Sequence, residues 1–273
     1  MKAYEIGRKR TVVFYLHGLR GHAFAQISAL RHMVKNLGVR VVTMELPGHG
    51  RDSKLDKCMV PHHDELVQMI VDEVKSRAGD AEQVVVMGYS FGGALMTLAA
   101  HKLEQDRRFR PRVVGLVGIS TAFSVAHNVP KWQLLLVDMI APLSKFLHIR
   151  LPSMSRLVTI REMNVNLISP DKHVQESILN DKKVYKGRIP LYTSAQVFKA
   201  SQSAKEVVNG LRAPVLLLHS KDDAIALPPE LEDFTGDVQL KLFKNLRHNC
   251  IDGLMKEAVV ARKTITQFIA DKL

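Results

Sequence analysis

The sequence predicts an α/β protein built on a mostly parallel, doubly wound sheet. Three observations predict it. Apolar, β-rich runs recur at wide intervals, at Thr11–Leu16, Val39–Met44, Val84–Met87, Val113–Ile119, Val215–Leu218 and Val238–Phe243. The runs are continuous rather than alternating, as in strands covered on both faces. Between them lie helical patterns, at about 23–37, 62–77, 91–105 and 254–270, so strand and helix alternate.

Composition agrees with a globular chain. The 273 residues are 46% hydrophobic and 24% charged, enough for one large domain with a sizeable core. No repeat, low-complexity tract or linker divides them. The start, MKAYEIGRKR, is mixed in charge, and the TVVFYL that follows is too short for a signal core or a membrane span. A soluble, unexported protein is expected. Cys58 and Cys250 make no disulfide framework, which suits a reducing, cytoplasmic compartment.

The charge is less ordinary, with 39 Lys and Arg against 27 Asp and Glu. Residues 121–205 alone hold 12 basic and 5 acidic side chains. Such an excess suits an anionic lipid surface or an acidic carrier, and equally a solvated basic surface. Nucleic acid is not expected, since no recognition motif or Lys/Arg ladder interleaved with aromatics is present. The run from Arg107 to Arg112 reads as a surface loop before a strand.

Taken in order, the first strand runs into LHGLRGH, the second into ELPGHGRDS and the third into GYSFGG. Ligand sites of open α/β sheets lie at the carboxyl ends of strands, where these turns fall. Between Ser120 and Ala213 no strand stands out. That interval reads as several short helices punctuated by Pro130, Pro142, Pro152, Pro170 and Pro190. A core of 1–120 and 206–273, with a helical cap inserted at 121–205, is the organisation expected; a helical layer packed on the sheet is the competing one. The insertion's first helix, WQLLLVDMIAPLSKFLHI, would line an acyl pocket or face a core.

GYSFGG carries the chemistry. A G-x-S-x-G arises by chance in roughly one chain in ten of this size, so its setting must decide. Here it follows a β run and opens an alanine-rich helix, the strand–turn–helix that a nucleophile elbow requires. Such a turn tolerates no bulk nearby, which accounts for Gly88, Gly92 and Gly93. Ser90 is then the nucleophile, and it needs a base to take its proton. With 12 histidines in the chain, position must choose. His248 lies in KNLRHNCIDG, after the last strand, in a loop that returns to the sheet's carboxyl edge. An acid must orient it, and for this architecture it falls between serine and histidine in the chain. HSKDDAI offers Asp223, favoured by its distance from the strand, with Asp222 the fallback; turn formation is the ordinary use of either. The oxyanion hole would come from the backbone N–H of Phe91, next after the serine, and of Leu19 in the loop after the first strand.

Other residues tempt less. His17 and His49 read as loop-positioning groups. Pro61-His62-His63-Asp64 reads as a helix start rather than a metal site, because adjacent histidines should project in different directions. Cys250 reads as a small buried residue. With no phosphate-binding loop or dinucleotide fingerprint, no cofactor and no metal are expected.

YLHGLRGH, ELPGHGRDS, GYSFGG, LLLHSKDDAI and LRHN, in this order and spacing, resemble the α/β-hydrolases. The likeness is strongest to the monoacylglycerol lipase and lysophospholipase branch, with its relatives among serine aminopeptidases and carboxylesterases. ILND at 178–181 resembles a short cap motif of that branch. The resemblance implies the α/β-hydrolase fold, a Ser90–Asp223–His248 triad and an acyl-enzyme mechanism. It also marks departures: about ten residues precede the first central strand, so the usual N-terminal strand pair is shortened or missing. Tyr89 replaces a more frequent histidine, Phe91 a methionine and Ser220 a glycine. The expected substrate is an acyl ester such as a monoacylglycerol or lysophospholipid, with an acyl-CoA or acyl-carrier-protein thioester as the alternative. Aminopeptidase activity is less expected, for want of an acidic cluster in the insertion. A non-catalytic protein associated with membrane or nucleic acid is the reading from another class.

Overall fold

The computed structural model describes residues 1–7, 11–51, 55, 57–125, 159–160 and 162–273. Its strands are β1 (Lys2–Ile6), β2 (Thr11–Leu16), β3 (Arg40–Glu45), β4 (Gln83–Tyr89), β5 (Arg112–Ile119), the two-residue β6 (Thr159–Ile160) and β7 (Ile189–Pro190), β8 (Val215–Ser220) and β9 (Val238–Phe243). Seven of them form one sheet in the order β1-β3-β2-β4-β5-β8-β9. Only β1 runs antiparallel to its neighbour, with Lys2 opposite Glu45. Among the described residues one strand, β1, precedes the first central strand.

The helices are α1 (Ile27–Leu37), α2 (His63–Ala78), α3 (Phe91–Gln105), α4 (Val165–Ile168), α5 (Lys172–Asn180), α6 (Leu191–Val207) and α7 (Lys256–Ala270). The continuous apolar runs are explained by the two faces of the sheet. On β2, Val12, Phe14 and Leu16 enter one core with residues of α2, α3 and α6. Val13 and Tyr15 enter the other with α1 and α7. Successive side chains leave a strand on opposite sides, so a strand buried on both must be apolar at every position. Among the described residues, no helix is long and apolar enough to cross a membrane.

Two expectations shift. The first helix starts at Ile27 rather than 23, because the backbone before it is held by side chains: Ala23 donates to Glu45 Oε1 at 3.3 Å, and its carbonyl accepts from Thr43 Oγ1 at 2.5 Å. The interval from 121 to 205 also holds more than short helices. The 17-residue α6 packs on α3 and gives Val197, Ala200 and Ala204 to the main core, and β6 pairs with β7. The expected insertion therefore includes a helix of the flanking layer. The expected apolar helix at 132–149 lies outside the described residues.

Ala200 is fully buried. Ala200→Leu is expected to lower global stability by about 1–3 kcal/mol through overpacking, read as a lower midpoint in urea unfolding. An unchanged midpoint would mean that α6 lies outside the cooperative core.

Candidate active site

Ser90 sits between β4 and α3 at φ 55° and ψ −122°. A residue with a Cβ at positive φ costs about 1–3 kcal/mol, so its surroundings must enforce it. They do so through the backbone. Ser90 N–H donates to Ile119 O at 2.8 Å, and Ser90 O accepts from Gly93 N at 2.9 Å, Ala122 N at 3.2 Å and Ala94 N at 3.3 Å. The turn is too tight for side chains at its glycines. A Cβ on Gly88 would stand 2.3 Å from Gly92 O, and one on Gly92 would stand 2.4 Å from the carbonyl oxygens of Leu16 and His17.

β9 delivers the imidazole. His248 Nε2 lies 2.8 Å from Ser90 Oγ, and Nδ1 lies 2.7 Å from Asp223 Oδ2. A carboxylate oxygen only accepts, so Nδ1 donates and Nε2 is left to accept from the hydroxyl. Asp223 follows β8, and its Oδ1 accepts from Ile225 N at 2.8 Å and Ala226 N at 3.0 Å. Burial alone would raise its carboxyl, but the charge of His248 and hydrogen bonds from His219 and His248 outweigh it and hold Asp223 well below the usual carboxylate range. Asp222 turns elsewhere, accepting from Asn245 N at 2.6 Å. The structure therefore brings Asp223, not Asp222, to His248. The ring of Tyr89 packs 5.2 Å from that of His248.

The loop after β2 comes alongside. A Cβ on Gly18 would be 3.0 Å from Ser90 Cβ. Neither Leu19 N–H nor Phe91 N–H donates to an acceptor among the described residues. His17 fixes this loop: its Nε2 accepts from Leu46 N at 3.1 Å, and its Nδ1 is 2.8 Å from Gly18 O. Burial, with His49 nearby, keeps the His17 imidazole well below its ordinary pKa, so it serves as a neutral hydrogen-bonding spacer.

The segment 164–188 bonds to both loops. Asn249 N donates to Ile168 O at 2.7 Å and His248 N to Leu167 O at 3.4 Å, while the Arg247 guanidinium reaches Asn166 O. On the other side, Tyr185 N donates to Arg20 O at 2.9 Å, Arg20 Nη1 to Gly187 O at 2.6 Å, and His22 Nε2 pairs with Asp181 Oδ2 at 2.8 Å. None of these pairings was legible in the sequence beyond ILND, which ends at Asp181. His219 was also missed; it stands in HSKDDAI itself, four residues before Asp223.

The remaining candidates are placed plainly. His62 and His63 do not diverge as expected: their rings lie 4.5 Å apart, and ligand atoms of His62, His63 and Asp64 fall within 4.8 Å of one another. The turn into α2 folds them together, His62 Nδ1 capping Asp64 N at 3.4 Å and His63 Nδ1 facing Gln196 Oε1 at 3.2 Å. Cys250 is buried 3.1 Å from Ser120 Oγ, its thiol pushed up to about 12 chiefly by burial. Asp252 Oδ2 accepts from Asn249 Nδ2 at 2.8 Å and Gln26 Nε2 at 3.3 Å, and Gln26 Oε1 accepts from the Tyr15 hydroxyl at 2.6 Å.

A family model, "Serine aminopeptidase, S33", matches residues 7–252. The chain belongs to that family. Among relatives, an uncharacterized abhydrolase domain-containing protein of Dictyostelium discoideum is 25% identical over 91% of this chain, which spans only 25% of that protein's length. The monoglyceride lipase homolog of Monkeypox virus is 22% identical, over 95% of this chain and 88% of its own. Among solved structures, the monoacylglycerol lipase of Paleococcus ferrophilus matches with a TM-score of 0.78 at 20% identity, covering 100% of both chains. A soluble variant of the Saccharomyces cerevisiae monoglyceride lipase matches at 0.71 and 18%, over 99% of this chain and 91% of its own. The S33-family chain shares the α/β-hydrolase fold with both.

Burial raises the Asp252 carboxyl above the ordinary value. Stability from such a group is present below the ordinary carboxylate pKa and is lost as pH rises through the raised one. The wild type is therefore expected to lose Tm relative to Asp252→Asn as pH rises above the ordinary carboxylate value of about 4. A gap that moves the other way would mean the carboxyl is held low.

Proposed function

We propose that the protein is a serine hydrolase that cleaves a carboxylic ester of an acyl chain through an acyl-enzyme. The observation that carries this reading is the unbroken run of hydrogen bonds from Asp223 through His248 to Ser90, on a turn that holds the serine at positive φ. In this reading His248 Nε2 takes the hydroxyl proton as Ser90 Oγ attacks the acyl carbon, and Asp223 balances the imidazolium. The carbonyl oxygen becomes an oxyanion held by the N–H groups of Leu19 and Phe91, each such donor worth about 2.7–4 kcal/mol. His248 then protonates the leaving alcohol. Water, losing its proton to the same nitrogen, attacks the acyl-enzyme and frees the acid and Ser90. No cofactor enters these steps.

Relatives named as monoacylglycerol and monoglyceride lipases make a monoacylglycerol the first natural ester to try, with lysophospholipids next. The cover over the acyl chain is assigned to the insertion, whose residues 164–188 touch both catalytic loops. A second reading is favoured by charge. Lys182 and Arg188 are exposed on the segment bonded to the Leu19 loop, and a basic rim there suits an acyl-CoA or acyl-carrier-protein thioester or an anionic lipid surface.

A p-nitrophenyl ester series of rising chain length tests both. Turnover is expected to rise with chain length and to fall by roughly 10⁶-fold, to background, in Ser90→Ala. Hydrolysis that survives in Ser90→Ala would remove the serine mechanism. Activity on acyl-CoA with a KM that rises steeply with salt, and little on esters, would move the assignment to the thioesterase.

A further inference from the structure

We infer that His219 is a positioning residue for this site: it fixes the turn that carries Asp223, and so the direction of the Asp223–His248 hydrogen bond. The inference rests on the serine-hydrolase reading and deepens it. His219 is on β8, and its side chain is 2% exposed beside an Asp223 side chain that is fully buried. Its Nε2 lies 2.8 Å from the carbonyl oxygen of Ala226 and 3.1 Å from Asp223 Oδ2. Both neighbours are acceptors, so Nε2 must carry hydrogen; a bare nitrogen there would set lone pairs against one another in a site closed to water.

The consequence is a closed clasp. Ala226 N–H donates to Asp223 Oδ1 at 3.0 Å, and Ala226 C=O accepts from His219. Ala226 also bridges to Val125, and Leu227 N donates to Ser124 O at 2.7 Å, so the clasp is tied to the chain just beyond β5. Asp223 thus has Ile225 and Ala226 on Oδ1, and both His248 and His219 on Oδ2. Rotating the carboxylate away from His248 would break contacts on both oxygens. A buried apolar side chain at 219 would fill the same volume without an N–H, which separates positioning from packing.

The test compares His219→Leu with His219→Gln, whose amide N–H reaches about where Nε2–H stands. The readouts are kcat and KM on the best p-nitrophenyl ester, the melting temperature, and the far-downfield proton resonance of His248 Nδ1–H, identified by its loss in His248→Ala. His219→Leu is expected to lower kcat roughly 10- to 100-fold with KM little changed, as for a misplaced catalytic group, and to shift or lose the resonance. His219→Gln is expected to restore most of both. Should the leucine variant not fold, His219→Asn replaces it, being too short to place its N–H and so expected to lose what Gln keeps. Wild-type kcat and resonance in His219→Leu, or equal loss in all variants, would overturn the inference. If the wild type turns over no ester or thioester, the hydrolase reading falls instead, and the resonance, which needs no substrate, still decides whether His219 holds Asp223 on His248.

Discussion

The site depends on one backbone constraint: Ser90 must hold a conformation that its own Cβ resists. Its φ of 55° becomes affordable because three N–H groups converge on Ser90 O while Ser90 N–H is taken by Ile119 at the end of β5. Those bonds form only if α3 starts immediately beside the ends of β2 and β5. That approach is what Gly88 and Gly92 allow, since a Cβ on either would meet backbone rather than a side chain that could move aside. The small residues around Ser90 are thus a packing requirement of the turn. The parallel sheet meets it by ending β2, β4 and β5 at one edge.

The same edge collects the other groups, but by different means. β8 and β9 end near Ser90, yet neither strand fixes a side chain by itself. Asp223 is fixed by its own turn, whose N–H groups fill one carboxylate oxygen while two imidazoles face the other. These donors overcome a burial that would otherwise neutralise the acid, so it stays ionised through the usual carboxylate range. Asp252, only four residues beyond His248, goes the opposite way: burial prevails and its carboxyl is raised. The two aspartates differ because Asp223 meets backbone donors and two imidazoles, whereas at Asp252 burial outweighs two side-chain amides and the Arg262 charge.

How much of this was legible in the sequence follows from the range of each interaction. Strands β2 and β9 are predicted residue for residue, because burial on both faces writes itself into consecutive side chains. Ser90 stands out because its elbow needs glycines within two residues on each side. His248 and Asp223 are recoverable from chain order, and the choice against Asp222 from distance to the strand. What could not be read are pairings across long separations that use backbone atoms. Leu167 and Ile168 accept from the His248 loop through carbonyl groups, which any residue offers. His219 is different: its residue type is informative, but just after an apolar run it reads as part of a turn until Ala226 O is seen against it. The expected divergence of His62 and His63 failed for a related reason, since alternation holds in a strand and not in the turn that opens α2.

The bonds of segment 164–188 also limit how that segment can move. The segment 164–188 is not simply laid over the sheet's edge. It accepts N–H groups from the loop of His248 and is bonded by backbone and side chain to the loop of Leu19. Lifting that segment as one body would strip partners from both loops, and a buried backbone group left without a partner costs about 1–3 kcal/mol. If the site works as proposed, with His248 as base and Leu19 and Phe91 as oxyanion donors, such a motion would open it by dismantling it. Under the hydrolase proposal, 164–188 is therefore a fixed rim against which a substrate would be positioned.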